Sequence, residues 1–581
     1  MEDDPQVQGS STVLEETFYI TSKKNTLYRV KLTEKGLSLQ KESNGATKTE
    51  TIGLNDIIGC RCMRSKRRSA GSCACRPSVS KSQLRLVEST ETFGAWDEHD
   101  TSAYLYIYAY TLKKARVKGA GRRERTTITL RFRSFDKYED NLREASRWRL
   151  VTALLFSCPG ERRKLLVLLN PKSGPGRGRE TFQRRVHPIL SEAERPYDVH
   201  ITKHSNYARE FVRTRDIYQW SGLLMVGGDG IVFEVVNGLL ERADWEKALR
   251  EVPLGIIPCG SGNGLAKSIA HAKQEPYDHN PMLISALSVV KCKKSPMDLI
   301  RIETRNQILF SFLSVGWGLL ADIDIESERL RAIGGQRFTI WSVARLIGLR
   351  TYKGKVSYLP CEKVPTADGD KTNGVYEKDN IKNDRVIIPH SKSYGDELDR
   401  LALETEMQGR NRLDSFYSAT SRKSTYFSTG SMSSYHSMDD NEDSAQGASS
   451  VHKNVNGVRK LCENLDFHVF LPGEFVMVHA AYQSHLGQDC FFAPRAKLAD
   501  GVIWLLIIRA GITRANLFQF LLGLSAGTHL ALSGVEMIPV KAFRIEPAES
   551  TGGHLVVDGE DVDYGPLQAE VFQSLATVMT A

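Results

Sequence analysis

Long apolar runs are missing from this chain. The longest stretch, 501–532, is interrupted by Arg509 and Arg514, which leaves it short of the ~20 apolar residues that a helix needs to cross a bilayer. No membrane-spanning helix is expected. The amino terminus, MEDDPQVQGSS, offers neither a basic segment nor an apolar one, so it has no feature of a secretory or mitochondrial leader. Cysteine is sparse, with ten residues scattered from Cys60 to Cys490. That usage favours reduced thiols over a disulfide scaffold and a cytoplasmic setting. The one cluster, Cys60-x-Cys62 with Cys73-x-Cys75, has one-residue gaps where structural zinc sites use two to four. No metal ligands are assigned from it.

What is present is ample apolar material and an excess of positive charge. Apolar residues make up 41% and charged residues 25% of 581, the balance of a globular protein. The length exceeds the ~250–300 residues at which a single core stops growing, so two or three folded units are expected. Net charge is +9. The excess concentrates where Arg61, Arg64, Lys66, Arg67, Arg68, Arg76 and Lys81 run without an acid across 57–87, and a second basic loop follows at 113–125. A solvated loop is the plain reading of such a run; anionic lipid comes next, and nucleic acid is not expected as a partner.

Periodicity divides the chain. A disordered tail is expected over 1–16. Over 17–158, short alternating strands (18–30, 104–112 and 126–133) precede an amphipathic helix at 136–156 with Trp148 among apolar neighbours. This α+β order suggests a small capped barrel or sandwich, and its arrangement resembles a pleckstrin-homology-type domain. Over 162–292, apolar runs at 165–169, 197–202, 223–226 and 254–257 alternate with helical stretches. Such alternation predicts an α/β parallel sheet with functional loops at the carboxyl ends of its strands. Over 293–360 and 462–581 the strands lengthen and lose their helices, which predicts an antiparallel β domain. The segment 361–461 is rich in Ser, Asp, Asn and Lys and poor in large aliphatics. It reads as a disordered insert, either a spacer or a site of phosphorylation.

Three glycine-rich loops follow predicted strands. The first is Asn170-Pro171-Lys172-Ser-Gly-Pro-Gly-Arg-Gly178. It lacks the Gly-Lys-Ser/Thr ending of a Walker loop and the glycine spacing of a dinucleotide fingerprint. The second is Gly227-Gly228-Asp229-Gly230, where glycines let backbone amides approach phosphate oxygens. They leave Asp229 exposed at the strand end, where it can take a proton from a hydroxyl nucleophile. Glu234 lies one helical turn further and could face the same site. The third is Pro258-Cys-Gly260-Ser261-Gly262-Asn263-Gly264. Three such turns in one sheet point to phosphoryl transfer, in which a protein chiefly positions reactants and neutralises charge.

Asn170-Pro171, Gly-Gly-Asp-Gly at 227–230, Glu234-Val-Val-Asn-Gly238 and Gly260-Ser-Gly-Asn263 resemble the diacylglycerol-kinase-type lipid kinase catalytic domain. Its nucleotide-binding fold is related to that of NAD kinases. The run from Ser314 through Asp324 to Glu328, with Arg337-Phe-Thr, Leu349-Arg-Thr-Tyr and Val557-Asp-Gly-Glu560, is similar to sphingosine kinases in particular. That resemblance covers about 160–360 and 465–581. It implies ATP and Mg2+ as cofactors, a β-sandwich lipid-binding domain after the kinase domain, and Asp229 as base for the primary hydroxyl of sphingosine or a related long-chain base. Asp324 then faces the lipid amine, with Ser314, Gly227, Gly228 and Gly230 also on the substrate side. For ATP it implicates Asn170, Pro171, Lys172, Thr202, Asn206, Glu234, Gly260, Ser261, Gly262, Arg331, Arg337, Asp558, Gly559 and Glu560. A buried carboxylate pairs well with a cationic amine, a group that ceramide and diacylglycerol lack.

The segment 337–355 is apolar on most sides and basic towards its end. It reads as a wall for the lipid tail with an edge for peripheral membrane contact, or alternatively as a calmodulin-binding helix. The competing functions are ceramide or diacylglycerol phosphorylation and a catalytically dead membrane-binding scaffold.

Overall fold

The computed structural model describes residues 12–20, 23, 26–43, 46–65, 86–88, 99–113, 121–156, 163–174, 176–260, 262–327, 336–361, 467–548 and 552–581. Most of the expected tail, the basic stretches 66–85 and 114–120, Cys73, Cys75, Ser261, Arg331, the side chain of Arg337 and the Ser-rich insert from 362 onward lie outside the described residues. No helix among the described residues is long and apolar enough to cross a membrane.

The first unit is an eight-stranded antiparallel sheet covered by one helix, Tyr138–Phe156. Its longest pairing joins Ala103–Lys113 to Arg122–Phe132 in unbroken register. Aromatic and β-branched residues at alternate positions of these strands suit a half-buried pleat. Trp148 on the helix meets Phe18 edge-on at 5.2 Å, and Phe18 meets Phe132 at 4.9 Å, which fastens helix to sheet.

The second unit begins with four parallel strands in the order Tyr197–Ile201, Leu165–Leu169, Leu223–Gly227 and Leu254–Pro258. The last three are buried along their whole length, as strands covered on both faces must be. The final strand, Leu567–Thr580, joins this sheet beside Leu254–Pro258 and also pairs antiparallel with Lys293–Glu303 and Glu536–Pro547. Parallel and antiparallel parts therefore form one 14-stranded sheet. In the antiparallel part Trp317, Tyr352 and Phe475 are fully buried, with ring centroids 5.8 and 5.9 Å apart. The predicted strand at 308–315 is in fact two, Ile308–Ser311 and Ser314–Gly318.

The first unit packs against the parallel half through charge as well as apolar surface. Ile58, Tyr108 and Tyr110 share a core with Ile189 and Leu190. Arg123 donates to both carboxylate oxygens of Glu275, at 2.7 and 2.6 Å, and to Asp56 at 2.6 Å. Tyr110 donates to Glu192 at 2.9 Å, and Arg149 bonds Glu194 at 2.8 Å.

Candidate active site

The three glycine-rich loops lie side by side because the strands that precede them are neighbours in the parallel sheet. In the first, the Asn170 side chain accepts from the Lys172 amide at 2.9 Å and closes a tight turn. The loop then reaches the third through Gly174, whose φ of +59° and close approach to the Cys259 carbonyl both require glycine. The second and third loops touch backbone to backbone: a Cβ on Gly228 would sit 3.1 Å from Gly260 Cα, and one on Gly260 would overlap Gly228 Cα. Asn263, in the left-handed region, holds the third loop by accepting from the Gly260 amide at 3.0 Å and donating to the Gly260 carbonyl at 2.8 Å.

Asp229 is the first residue of helix Asp229–Leu240 and is buried, not exposed as the sequence suggested. The reason is the neighbouring helix Gly264–Ala272: its first two amides, Gly264 at 2.9 Å and Leu265 at 3.3 Å, donate to the two carboxylate oxygens. Two opposed influences act on this group. Burial raises its pKa, the backbone hydrogen bonds lower it, and burial prevails, leaving a value of about 6. A carboxylate tuned to that range is matched to proton abstraction near neutral pH.

The other sequence-nominated residues fall into two groups. Glu560 comes to the second loop, since a Cβ on Gly230 would lie 3.4 Å from its Oε1. It is carried there by a turn in which Asp558 and Gly559 both have positive φ, 51° and 87°. Asp558 is buried and spends its carboxylate on the break between strands Ile308–Ser311 and Ser314–Gly318. It accepts from Ser311 Oγ at 2.6 Å and from the amides of Phe312, Leu313 and Ser314 at 2.9 to 3.0 Å. A continuous chain of contacts thus joins Ser314, Asp558, Glu560 and Gly230. Glu234 is turned to a neighbouring helix, where its Oε2 accepts from the Ala208 amide at 3.1 Å next to left-handed Asn206. Thr202 directly follows strand Tyr197–Ile201, with its amide on the Leu169 carbonyl at 2.9 Å. Pro171, Lys172 and Gly262 lie within the loops themselves.

Asp324 is buried on helix Leu319–Ser327, which directly follows strand Ser314–Gly318. Two acids on the same helix escaped the sequence reading. Asp322 accepts the Tyr352 hydroxyl. Glu326 accepts from Trp341 Nε1 at 2.8 Å, pairs with buried Arg345, and meets Arg350 at 3.3 Å. Glu326 thereby pins helix Gln336–Ile347 across the Asp324 helix. The alternation Asp322-x-Asp324-x-Glu326 was the available signal, but alternation alone does not say which acid meets protein and which meets ligand.

Glycine lets the three loops pack on one another, and the open space beside Gly176, where a Cβ would meet nothing within 4 Å, leaves room for a nucleoside triphosphate to approach the loop backbone. Among the described residues no group of three or more metal-ligating side chains is assembled.

Residues 164–302 match the diacylglycerol kinase catalytic domain, and residues 466–580 match the YegS C-terminal NAD kinase beta sandwich-like domain. Among curated proteins, sphingosine kinase 2 of Homo sapiens is 32% identical over 572 residues, covering 87% of this chain and 86% of its own length. Sphingosine kinase 1 of Homo sapiens is 33% identical, covering 70% and 88%. Sphingosine kinase 1 of Caenorhabditis elegans is 34% identical, covering 69% and 78%.

Proposed function

The chain belongs to the sphingosine kinase family, and from that premise we propose which of its residues carry the reaction. It is an ATP-dependent lipid kinase that phosphorylates the primary hydroxyl of a sphingoid base. Asp229 takes the hydroxyl proton as the lipid oxygen bonds the γ-phosphorus, and the bond to the ADP oxygen breaks. The observation that carries this assignment is the buried Asp229 carboxylate, held by two helix amides between the glycine-rich loops. Amides of the loops at 170–178, 227–230 and 258–264 that are not held within the protein, as those of Lys172, Gly260 and Gly264 are, bind the phosphates, with the Lys172 side chain as a point charge. Glu234 and Asn206 shape the nucleotide side, and Glu560 closes over Gly230. Mg2+ bound with the triphosphate would supply neutralisation of its charge. Arg331 and Arg337 are proposed as phosphate clamps.

Asp324 is proposed to pair with the lipid amine, which makes it the residue that separates sphingoid bases from ceramide and diacylglycerol. The decisive assay offers radiolabelled ATP with sphingosine, ceramide and diacylglycerol to wild type and to Asp324→Asn. The expected result is transfer to sphingosine and a loss in the variant that is confined to cationic lipids. Transfer to ceramide alone would overturn the amine assignment, and absence of any transfer would favour a scaffold.

Peripheral membrane attachment completes the reading. Val343 and Ile347 on helix Gln336–Ile347, and Phe518 and Leu522 on helix Arg514–Gly523, are exposed. Arg514 joins the two helices by donating to the Leu346 carbonyl at 3.0 Å and to that of Ile347 at 3.3 Å. Together these apolar side chains form a lip suited to a bilayer surface at the cytoplasmic side. The pairing of Arg345 with Glu326 commits one of the segment's cations inside the fold, which weighs against calmodulin as its partner. The amino-terminal sheet with its capping helix is proposed to be pleckstrin-homology-like.

A further inference from the structure

Strand Val469–Ala481 divides its side chains between two cores. Val478 and Ala480 enter the antiparallel core, whereas Met477 and Ala481 enter the core shared with the nucleotide-binding half. His479 lies on the second face, between Met477 and Ala481, and is buried. Its register partners are Gly316 on one side and Leu506 on the other. A Cβ on Gly316 would sit 2.9 Å from His479 Nδ1 and 3.8 Å from Ala321 Cβ. The imidazole therefore fills the hollow that this glycine leaves, beneath the first turn of helix Leu319–Ser327. Asp324 follows Ala321 by three residues, on the same face of that helix. The ring of Phe492 flanks the imidazole, with centroids 4.9 Å apart.

Neither ring nitrogen of His479 has a hydrogen-bond partner among the described residues. Burial alone depresses its pKa to about 3. The ring is consequently neutral, with one N–H to give and one lone pair to receive. Native interiors rarely leave both polar atoms of a side chain unmatched. The nearby His529 differs in having one nitrogen matched, Nε2 by the Phe492 carbonyl at 3.0 Å, with its Nδ1 unmatched among the described residues.

We propose that His479 is a specificity residue that hydrogen-bonds a hydroxyl on the lipid chain beyond the amine, so that the enzyme favours 4-hydroxylated long-chain bases over plain saturated ones. This rests on the sphingoid-base reading above, in which Asp324 meets the amine; the proposal adds that the chain runs on from there towards the core to which Met477, Ile323 and Phe492 belong. A neutral imidazole complements a hydroxyl, which donates and accepts at once, and offers nothing to a methylene.

The test is steady-state kinetics with sphinganine and 4-hydroxysphinganine on wild type and His479→Leu, with thermal unfolding of both proteins. Wild type is expected to favour the hydroxylated base about tenfold in kcat/KM, the worth of one hydrogen bond. His479→Leu should erase that preference by losing rate only on the hydroxylated lipid. It should also raise Tm, because leucine suits an apolar site without unmatched nitrogens; a histidine serving structure alone would lower it. A preference that survives the substitution, or an equal change on both lipids, overturns the role of His479 while leaving the kinase reading intact. Failure of wild type to phosphorylate either lipid would instead overturn the sphingoid-base reading on which the proposal stands.

Discussion

At the scale of single residues, two buried aspartates have opposite tasks. Asp229 is held by two amides but raised to about 6 by burial, so the base form is lost as pH falls through that value. The pH profile of kcat/KM should therefore climb towards a plateau above about 6, and Asp229→Asn should lose roughly 10²–10⁴-fold in kcat. The same shift has a cost in stability. A carboxyl whose folded pKa lies above its unfolded value binds more protons when folded, so stability falls as pH rises from 3.8 to about 6. Asp558 also titrates near 6 for the same reason of burial, yet four donors inside the protein occupy its carboxylate. Asp558→Ala would leave three buried amides unmatched. We expect a loss of about 3 kcal/mol or more in chemical denaturation. A protein unchanged in stability but weakened in ATP affinity would show instead that Asp558 serves the nucleotide.

At the scale of elements, the site is built from turns that glycine makes possible. Gly260 packs directly on Gly228, so a single methyl group at 260 has to part the second and third loops. Gly260→Ala should reduce kcat/KM for ATP about 100-fold, since displacements of this size cost that much in positioned reactions. Isothermal titration with an ATP analogue would separate lost binding from lost chemistry. These turns were legible in sequence because strand, glycine run and helix follow one another locally. The helix expected at 136–156 and found at 138–156, the strand at 165–169, and the strands expected at 223–226 and 254–257 and found one residue longer, were legible from local pattern too. The break between Ser311 and Ser314 was not, because it is imposed by Asp558 from far along the chain. The burial of Asp229 was hidden likewise: the amides that cover it belong to the helix after the third loop. The hairpin Gly36–Ser43 with Ala46–Gly53 escaped notice because its residues are mostly polar.

At the scale of the whole molecule, the amino-terminal unit is bound to the nucleotide-binding half by charges that are themselves largely buried. Arg123 and Glu275 are each only 10% exposed, and removing one member of such a pair strands the other. Arg123→Ala should lower stability by about 3–5 kcal/mol and separate one thermal transition into two in calorimetry. Combining it with Glu275→Ala should recover part of the loss, because Glu275, the more deeply buried of the two acids that Arg123 meets, is then no longer stranded, while the more exposed Asp56 still is.

The strand Leu567–Thr580 gives the molecule an order of assembly. The edge of the parallel sheet beside Leu254 is completed by Val578, some three hundred residues later in the chain. While the chain emerges from the ribosome, the half that binds nucleotide has to wait with an open, hydrogen-bonding border until the last strand is made. Pairings this distant form slowly, and an unfilled border invites the strands of other chains. Newly made copies would therefore pass through an interval in which aggregation competes with completion, and that interval closes only when the final strand settles between the two halves.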